Sequence, residues 1–165
     1  MSMTASGLKV REGEPIPSVG LRATNGYLLN LRSFVGKQPA IFLFFAGPSV
    51  TGPARARGDG LARALKEAHP RITESGVALV GVSTDSEEQQ AAYVAELELP
   101  FLLFCDERRS AVELLGVATT VEAGNLNAVP TAFAVAADGI IVDIVEQPEP
   151  RGLVARLLES IQRPR

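Results

Sequence analysis

The clearest hydrophobic pattern in the chain is a pair of apolar runs of strand length. The first run is Ala40–Ala46, which is rich in phenylalanine, and the second is Val77–Val82. Short runs with apolar residues at successive positions are typical of strands covered on both faces of a sheet. The sequence therefore predicts two central, buried strands.

A helical pattern follows the first of these runs. From about Ala54 to Ala68, Leu61 and Leu65 recur on one face, which predicts an amphipathic helix that ends near Pro70. Between strand and helix, Gly47–Pro53 contains two glycines and two prolines, so it is predicted to be a loop.

Three further helices are indicated by caps and spacing. Asp85, with Glu88 three residues later, resembles a capping box, which predicts a helix that runs to about Leu97. A short helix is expected at Arg109–Leu115. The spacing of leucines in Leu153–Ile161 predicts a C-terminal amphipathic helix.

Two segments have the signature of β-hairpins. Leu21–Leu31 contains Asn25 and Gly26, a dipeptide that tolerates positive φ at both central turn positions. Thr131–Ala136 and Ile140–Val145 flank an Asp-Gly turn, which predicts an antiparallel pair near the C-terminus.

The order of elements predicts the fold class. Strands alternate with helices up to a short strand at Phe101–Phe104, which favours parallel strands joined by right-handed crossovers. The fold class is therefore α/β: a thioredoxin-like α/β sandwich, with a central mixed sheet flanked by helices. We expect one domain over residues 13–165, preceded by a loose N-terminal segment over residues 1–12.

Composition excludes several classes of function. A net charge of −3 argues against a general nucleic-acid binder, and the longest apolar run is too short for a membrane span of about 20 residues. The N-terminus lacks a secretory signal pattern, so a cytoplasmic protein is expected. With one cysteine and one histidine, the chain can form neither an internal disulfide nor a Cys/His zinc site. We expect no metal and no cofactor.

Several motifs together resemble one protein family. They occur in the expected order and spacing over roughly residues 13–145, and comprise Pro15–Pro17, Asn25–Leu31, Phe34–Lys37, the Phe-rich strand with its loop to Pro53, Gly81–Ser86, Leu99–Asp106, Leu115–Val117 and Phe133–Gly139. The sequence is identified as a member of the peroxiredoxins (AhpC/TSA), in particular the bacterioferritin comigratory (Q-type) and alkyl hydroperoxide reductase C groups.

The resemblance implies antioxidant thiol chemistry at one strand-to-helix loop. In peroxiredoxins this loop carries Pro-x-x-x-Thr-x-x-Cys, and the helix start stabilises a cysteine thiolate that attacks a peroxide and becomes a sulfenic acid. The threonine hydrogen-bonds the peroxide, and an arginine from a late strand completes the electrostatics.

This sequence departs from the family pattern at the decisive positions. Thr51 matches the threonine, but Ala54 stands at the cysteine position and Gly47 at the proline position, with Pro48 displaced by one residue. The arginine position falls near Pro130, in a segment that looks like a cis-proline segment of thioredoxin.

Other residues near the loop leave alternatives open. Arg55 and Arg57 come early in the helix, where basic residues oppose its dipole, so they are either solvated or held by another group. Cys105 is either a small buried side chain or a displaced redox thiol, and the adjacent Asp106 is expected to raise its pKa.

Four functional hypotheses follow. The first is a peroxiredoxin-like protein that has naturally lost peroxidase chemistry. The second is an active peroxiredoxin whose cysteine was replaced by Ala54 in this polypeptide, which would use a thioredoxin-type reductant. The third is a non-enzymatic module that binds a partner or forms a homodimer. The fourth is a redox protein that works through Cys105.

Overall fold

The computed structural model describes residues 7–164 of the chain. The elements along the chain are β1 (Gly20–Ala23), β2 (Leu28–Asn30), β3 (Ala40–Phe44), α1 (Gly52–Glu74), β4 (Ala78–Ser83), α2 (Glu87–Leu97), β5 (Leu102–Cys105), α3 (Ser110–Leu115), β6 (Thr119–Glu122), β7 (Asn125–Ala128), β8 (Thr131–Val135), β9 (Ile141–Glu146) and α4 (Leu153–Gln162).

Seven of these strands form one mixed sheet in the order β2-β1-β5-β4-β3-β8-β9. The three strands β3, β4 and β5 are parallel, as the alternation of strands and helices predicts. The pairs β1–β2 and β8–β9 are the two predicted hairpins. The predicted mixed sheet with flanking helices is thus present.

Side chains on opposite faces of the sheet build two hydrophobic layers. On β3, Ile41 and Leu43 join the cluster that contains the buried faces of α1, α2 and α4. Phe42 and Phe44 point to the other face and join a cluster that includes α3 and the N-terminal segment. All four side chains are at most 1% exposed, so β3 is covered on both faces as its continuous apolar run predicts.

Helix α1 is longer than its sequence pattern predicts. It begins at Gly52 and ends at Glu74, so Pro70 lies inside the helix rather than at its end. Pro70 removes one backbone hydrogen bond, but it is exposed, and the last turn is anchored by the fully buried Ile72. Burial of this side chain explains why the helix continues.

The cap of α2 lies one residue later than predicted. Ser86 is the N-cap: its hydroxyl accepts a hydrogen bond from the Gln89 backbone N–H, and the Gln89 side chain accepts one from the Ser86 N–H. The expected pair of Asp85 and Glu88 does not form the box. Asp85 is instead 1% exposed and points towards the loop before α1.

Residues 9 and 10, in the described part of the segment before β1, contact the domain, and the loose N-terminal segment over residues 1–12 stays a prediction. The Lys9 N–H donates to the Leu115 carbonyl at 2.9 Å, and Val10 is buried in the second hydrophobic layer. Burial of the apolar Val10 side chain stabilises the contact between this segment and the domain. Residues 1–6 of the expected segment lie outside the described residues.

The sequence pattern misses one element entirely. β6 and β7 form a separate two-stranded hairpin, with Ala123 and Gly124 at positive φ in its turn. The hairpin residues are mostly exposed and do not alternate between apolar and polar, so the usual strand signal is absent. This hairpin contacts the loop between β3 and α1, as described below.

Candidate functional site

The strand-to-helix loop singled out by the sequence lies at the carboxyl end of β3, where α1 begins. Thr51 is the extended N-cap residue of α1 and is exposed, and its side chain makes no capping hydrogen bond. The first turn contains no acidic residue. The positive end of the helix is therefore not compensated by its own cap or first turn, but an anion from elsewhere approaches it: a Glu122 carboxylate oxygen lies 3.9 Å from where a Cβ on Gly52 would stand.

Ala54 lies in this first turn and is half-buried. Its side chain is a methyl group, which has no lone pair, no exchangeable proton and no state that ionises. The local backbone could stabilise a thiolate, but the chain places no sulfur there. Thr51 and Ala54 thus both lie at the helix start, and the side chain of Ala54 supplies no nucleophile.

Gly47, at the proline position of the motif, lies directly against a buried carboxylate. A Cβ atom built on Gly47 would overlap Asp85 Oδ2 and come within 3.4 Å of Ser83 Oγ. Asp85 Oδ1 accepts a hydrogen bond from the Ser49 N–H at 2.9 Å, whereas Oδ2 has no hydrogen-bond partner among residues 7–164. The absence of a side chain at position 47 is therefore what lets this carboxylate reach the loop.

The unpredicted β6–β7 hairpin holds the loop from the other side. Ser49 Oγ donates to Asn127 Oδ1 at 3.2 Å, and Asn125 Nδ2 donates to the Ser49 carbonyl at 3.3 Å. A third hydrogen bond, from Thr84 Oγ1 to the Leu126 carbonyl at 2.6 Å, ties the hairpin to the loop after β4. The loop is thus fixed by polar contacts from two separate segments.

Arg55 is held by other groups rather than solvated. Its Nε donates to both carboxylate oxygens of Asp59, at 3.0 and 3.2 Å, and its Nη1 donates to the Pro48 carbonyl at 3.3 Å. The guanidinium carbon lies 5.5 Å from the ring centroid of Tyr93, whose hydroxyl donates to Asp59 at 2.6 Å. Arg57, in contrast, is exposed.

These contacts shift the titration of both groups that face Asp59. Burial raises the pKa of Tyr93 well above its ordinary value, and the hydrogen bond to Asp59 raises it further. For Arg55, burial lowers the pKa, but the hydrogen bond and the charge of Asp59 outweigh burial, so its pKa is raised. Arg55 therefore keeps its charge, which Asp59 neutralises. Arg55 and Asp59 have the i,i+4 spacing of a helical ion pair, a signal that the sequence does contain.

Pro130 is buried immediately before β8, and the peptide bond that precedes it is trans, as are all peptide bonds among residues 7–164. The expected cis-proline geometry is therefore wrong. The Pro130 carbonyl accepts a hydrogen bond from the Gln147 N–H at 2.8 Å, and Thr131 Oγ1 donates to the Val129 carbonyl. These hydrogen bonds form with a trans peptide bond before Pro130. Because a proline side chain is uncharged, Pro130 places no cation near the loop.

Cys105 ends β5, on a different strand from the one that leads into α1. Its side chain is half-buried, and its Sγ donates to the Asp85 carbonyl at 3.3 Å. Burial raises the pKa of the thiol, a backbone hydrogen bond from Glu107 lowers it in part, and the nearby carboxylates of Glu107, Glu87 and Asp106 add smaller increases, so the pKa is raised. The direction expected from Asp106 is confirmed, and the thiol is poorly suited to form a thiolate at neutral pH.

Neither a metal cluster nor a membrane span is found in the part of the chain that the structure describes. No group of three or more His, Cys, Asp or Glu side chains within residues 7–164 is arranged to hold a metal ion. No helix in the same range is both long and apolar enough to cross a bilayer.

Comparison with known sequences finds one family model and several peroxiredoxin sequences that are similar to this chain. A sequence model of the AhpC/TSA family matches residues 13–144. A chloroplastic peroxiredoxin Q from Populus jackii is 29% identical over 99 residues, which cover 60% of this chain and 44% of that protein. Peroxiredoxin Bcp from Bacillus subtilis is 26% identical over 110 residues, which cover 67% and 66%. The match spans about half the length of the chloroplastic relatives.

Solved structures show the same fold. Peroxidoxin BcpB from Mycobacterium tuberculosis superposes with a TM-score of 0.77 at 18% identity, covering 92% of this chain and 96% of that one. AhpC from Enterococcus faecalis gives a TM-score of 0.75 at 16% identity, covering 90% and 91%. These similarities confirm the predicted thioredoxin-like fold class.

Proposed function

The chain belongs to the AhpC/TSA family, and from that membership we propose that it is a peroxiredoxin-like protein without thiol peroxidase activity. The single observation that carries the proposal is the methyl group of Ala54 in the first turn of α1, where the family pattern places the reactive cysteine. The helix start has no side-chain cap and no acidic residue in its own first turn, but it has nothing to activate.

The missing chemistry can be stated atom by atom. In the family reaction, a thiolate sulfur attacks one peroxide oxygen, a sulfur–oxygen bond forms, the oxygen–oxygen bond breaks, and the departing oxygen takes a proton. An alkyl side chain supplies no electron pair for the first step. Cys105 does not replace it, because its pKa is raised and it lies on another strand.

The surroundings of Ala54 depart from the family pattern as well. Gly47 replaces the proline and lies against Asp85, and Pro130 occupies the arginine position. Arg55, the cation that follows Ala54, is engaged by Asp59 and by the Pro48 carbonyl. The cysteine, proline and arginine positions of the family pattern are thus all changed, which favours a natural loss of peroxidase activity over the replacement of one residue.

A second candidate is an active peroxiredoxin in which only the nucleophile was replaced by alanine. The observation that favours it is the retained Thr51 beside an uncapped helix start. Such an enzyme would need a thioredoxin-type dithiol to reduce its oxidised cysteine. The two candidates differ in what a thiol at position 54 should do.

We predict that Ala54→Cys, made together with Cys105→Ser, yields a thiol that reacts with hydrogen peroxide less than about a hundredfold faster than free cysteine, because the helix start alone can favour a thiolate only modestly. The reason is that neither Pro130 nor the paired Arg55 supplies an available positive charge to the loop. The rate is measured by stopped-flow peroxide consumption, with mass-spectrometric detection of the sulfenic acid. The Cys105→Ser single variant is the control. A rate about a hundredfold or more above free cysteine, equivalent to about 2.7 kcal/mol, would favour the second candidate.

A further inference from the structure

A small polar cleft lies beside the strand-to-helix loop, at the carboxyl edge of the parallel strands. Its walls come from three loops and the start of one strand. The loop residues are Ser49 after β3, Thr84 after β4 and Glu107 after β5, and the strand residue is Asn125 at the start of β7. Its volume is about 180 Å³, which corresponds to about six water molecules. Crevices at this edge of parallel strands are frequent ligand sites in α/β folds.

The walls of the cleft are held by hydrogen bonds within the chain. The Ser49 carbonyl accepts from Asn125 Nδ2, and Thr84 Oγ1 donates to the Leu126 carbonyl. The Ser49 N–H donates to Asp85, a buried residue that lies in the chain directly after Thr84. A ligand would therefore meet a preformed cleft and would not have to order it.

Two oppositely charged side chains that line the cleft take no part in these hydrogen bonds. Neither Glu107 nor Arg109 forms an ion pair with any residue in the range 7–164, although both are exposed and line the same cleft. By contrast, Arg22 and Glu87, which lie near Cys105, do pair with each other. The cleft thus presents one unpaired anion and one unpaired cation around neutral polar walls.

We propose that this cleft binds a small zwitterion of the α-amino-acid class, with its carboxylate at Arg109 and its ammonium at Glu107. A simple anion would bring its charge close to Glu107, and a simple cation would bring its charge close to Arg109, so each alone is disfavoured. The neutral walls at Ser49, Thr84 and Asn125 add hydrogen-bonding groups, and the cleft volume of about 180 Å³ accommodates an α-amino acid with a small side chain.

The proposal goes beyond the absence of peroxidase activity and does not depend on it. The cleft involves neither Ala54 nor Cys105, so the binding experiment uses no peroxide and no reductant. Failure of one conclusion leaves the other unaffected.

The test is titration of the unaltered chain with alanine, followed by two-dimensional NMR. Acetate and methylammonium serve as probes that carry one charge each. We expect saturable shifts at the cleft residues with a Kd of about 1 mM or tighter for alanine. For either single-charge probe, we expect binding at least about tenfold weaker, because each lost charged contact costs about that much. Equal affinity for all three probes, or no saturation with alanine, would overturn the proposal.

Two variants locate the binding site. Arg109→Gln and Glu107→Gln should each weaken alanine binding by about tenfold or more. Arg108→Gln is the matched control, because Arg108 is the exposed neighbour of both residues but lines the adjacent cleft beside Cys105. The backbone NMR spectrum of each variant verifies folding. Unchanged affinity in a folded Arg109→Gln or Glu107→Gln variant, or an equal loss in Arg108→Gln, would contradict the assignment.

Discussion

Replacing Gly47 with alanine is expected to lower the free energy of unfolding by about 2–3 kcal/mol. The added Cβ would overlap Asp85 Oδ2, and the carboxylate is too deeply buried to move aside. Relief requires either a shift of the loop backbone or loss of the bond between the Ser49 N–H and Asp85. The measurement is chemical denaturation of the two proteins, with equal m-values taken as the sign of an unchanged denatured state.

Gly60→Ala is the matched control for this prediction. Apart from the nearby backbone of its own helix, a Cβ atom at Gly60 would meet no described heavy atom within 4 Å, so alanine there should be neutral or stabilising by up to about 1 kcal/mol. In an Asp85→Ala background the oxygen that causes the overlap is gone, so Gly47→Ala should cost less than about 1 kcal/mol. An equal cost in both backgrounds would show that Asp85 is not the reason for glycine at position 47.

Replacing Asp59 with alanine should lower the free energy of unfolding by about 2–3 kcal/mol. The substitution leaves the Tyr93 hydroxyl buried without its acceptor and removes the anion that faces Arg55. The Arg55 side chain is 27% exposed, so solvent screens part of the second effect. Denaturant titration measures the loss, which should also appear as a lower thermal midpoint.

Two controls separate the roles of Asp59. Tyr93→Phe keeps the ring in the core and removes only the hydroxyl, so it should cost about 1 kcal/mol. Glu67→Ala removes an exposed carboxylate from the same helix and should stay within about 0.5 kcal/mol. If Asp59→Ala behaves like Glu67→Ala, the contact between α1 and α2 is not held by this carboxylate.

The sheet and its layers could be predicted because their signal is local. Ala40–Ala46 and Val77–Val82 are apolar at successive positions, and a strand buried on both faces is the structure that such short runs favour. The sandwich then follows from the order of elements and from the handedness of crossovers. The helical pattern also predicts a helix start near Ala54, and the structure begins α1 two residues earlier, at Gly52.

Features that depend on contacts between distant residues could not be predicted in this way. Asp85 and Ser86 each have a suitable partner three residues later for a capping box, and only the burial of Asp85 against the loop decides between them. Likewise, Pro70 looks like a helix end until the burial of Ile72 is known. The β6–β7 hairpin is mostly exposed, so its strands leave no hydrophobic pattern to detect.

These distant contacts change the interpretation of the loop. From the sequence alone, Gly47 is an isolated departure from the family pattern near Ala54, and Arg55 is a cation with no known partner. In the structure, Gly47 accommodates Asp85, and Arg55 is neutralised by Asp59. Polar contacts thus hold the loop in place beside Ala54, where the chain places no sulfur.

The most direct measurement is steady-state consumption of hydrogen peroxide by the chain carrying Cys105→Ser, with a thioredoxin system or a small dithiol as reductant. Because Ala54 offers no sulfur and the variant has no other cysteine, we predict a rate equal to that of the reductant alone at every protein concentration. A rate that rises in proportion to the concentration of this variant would contradict the account.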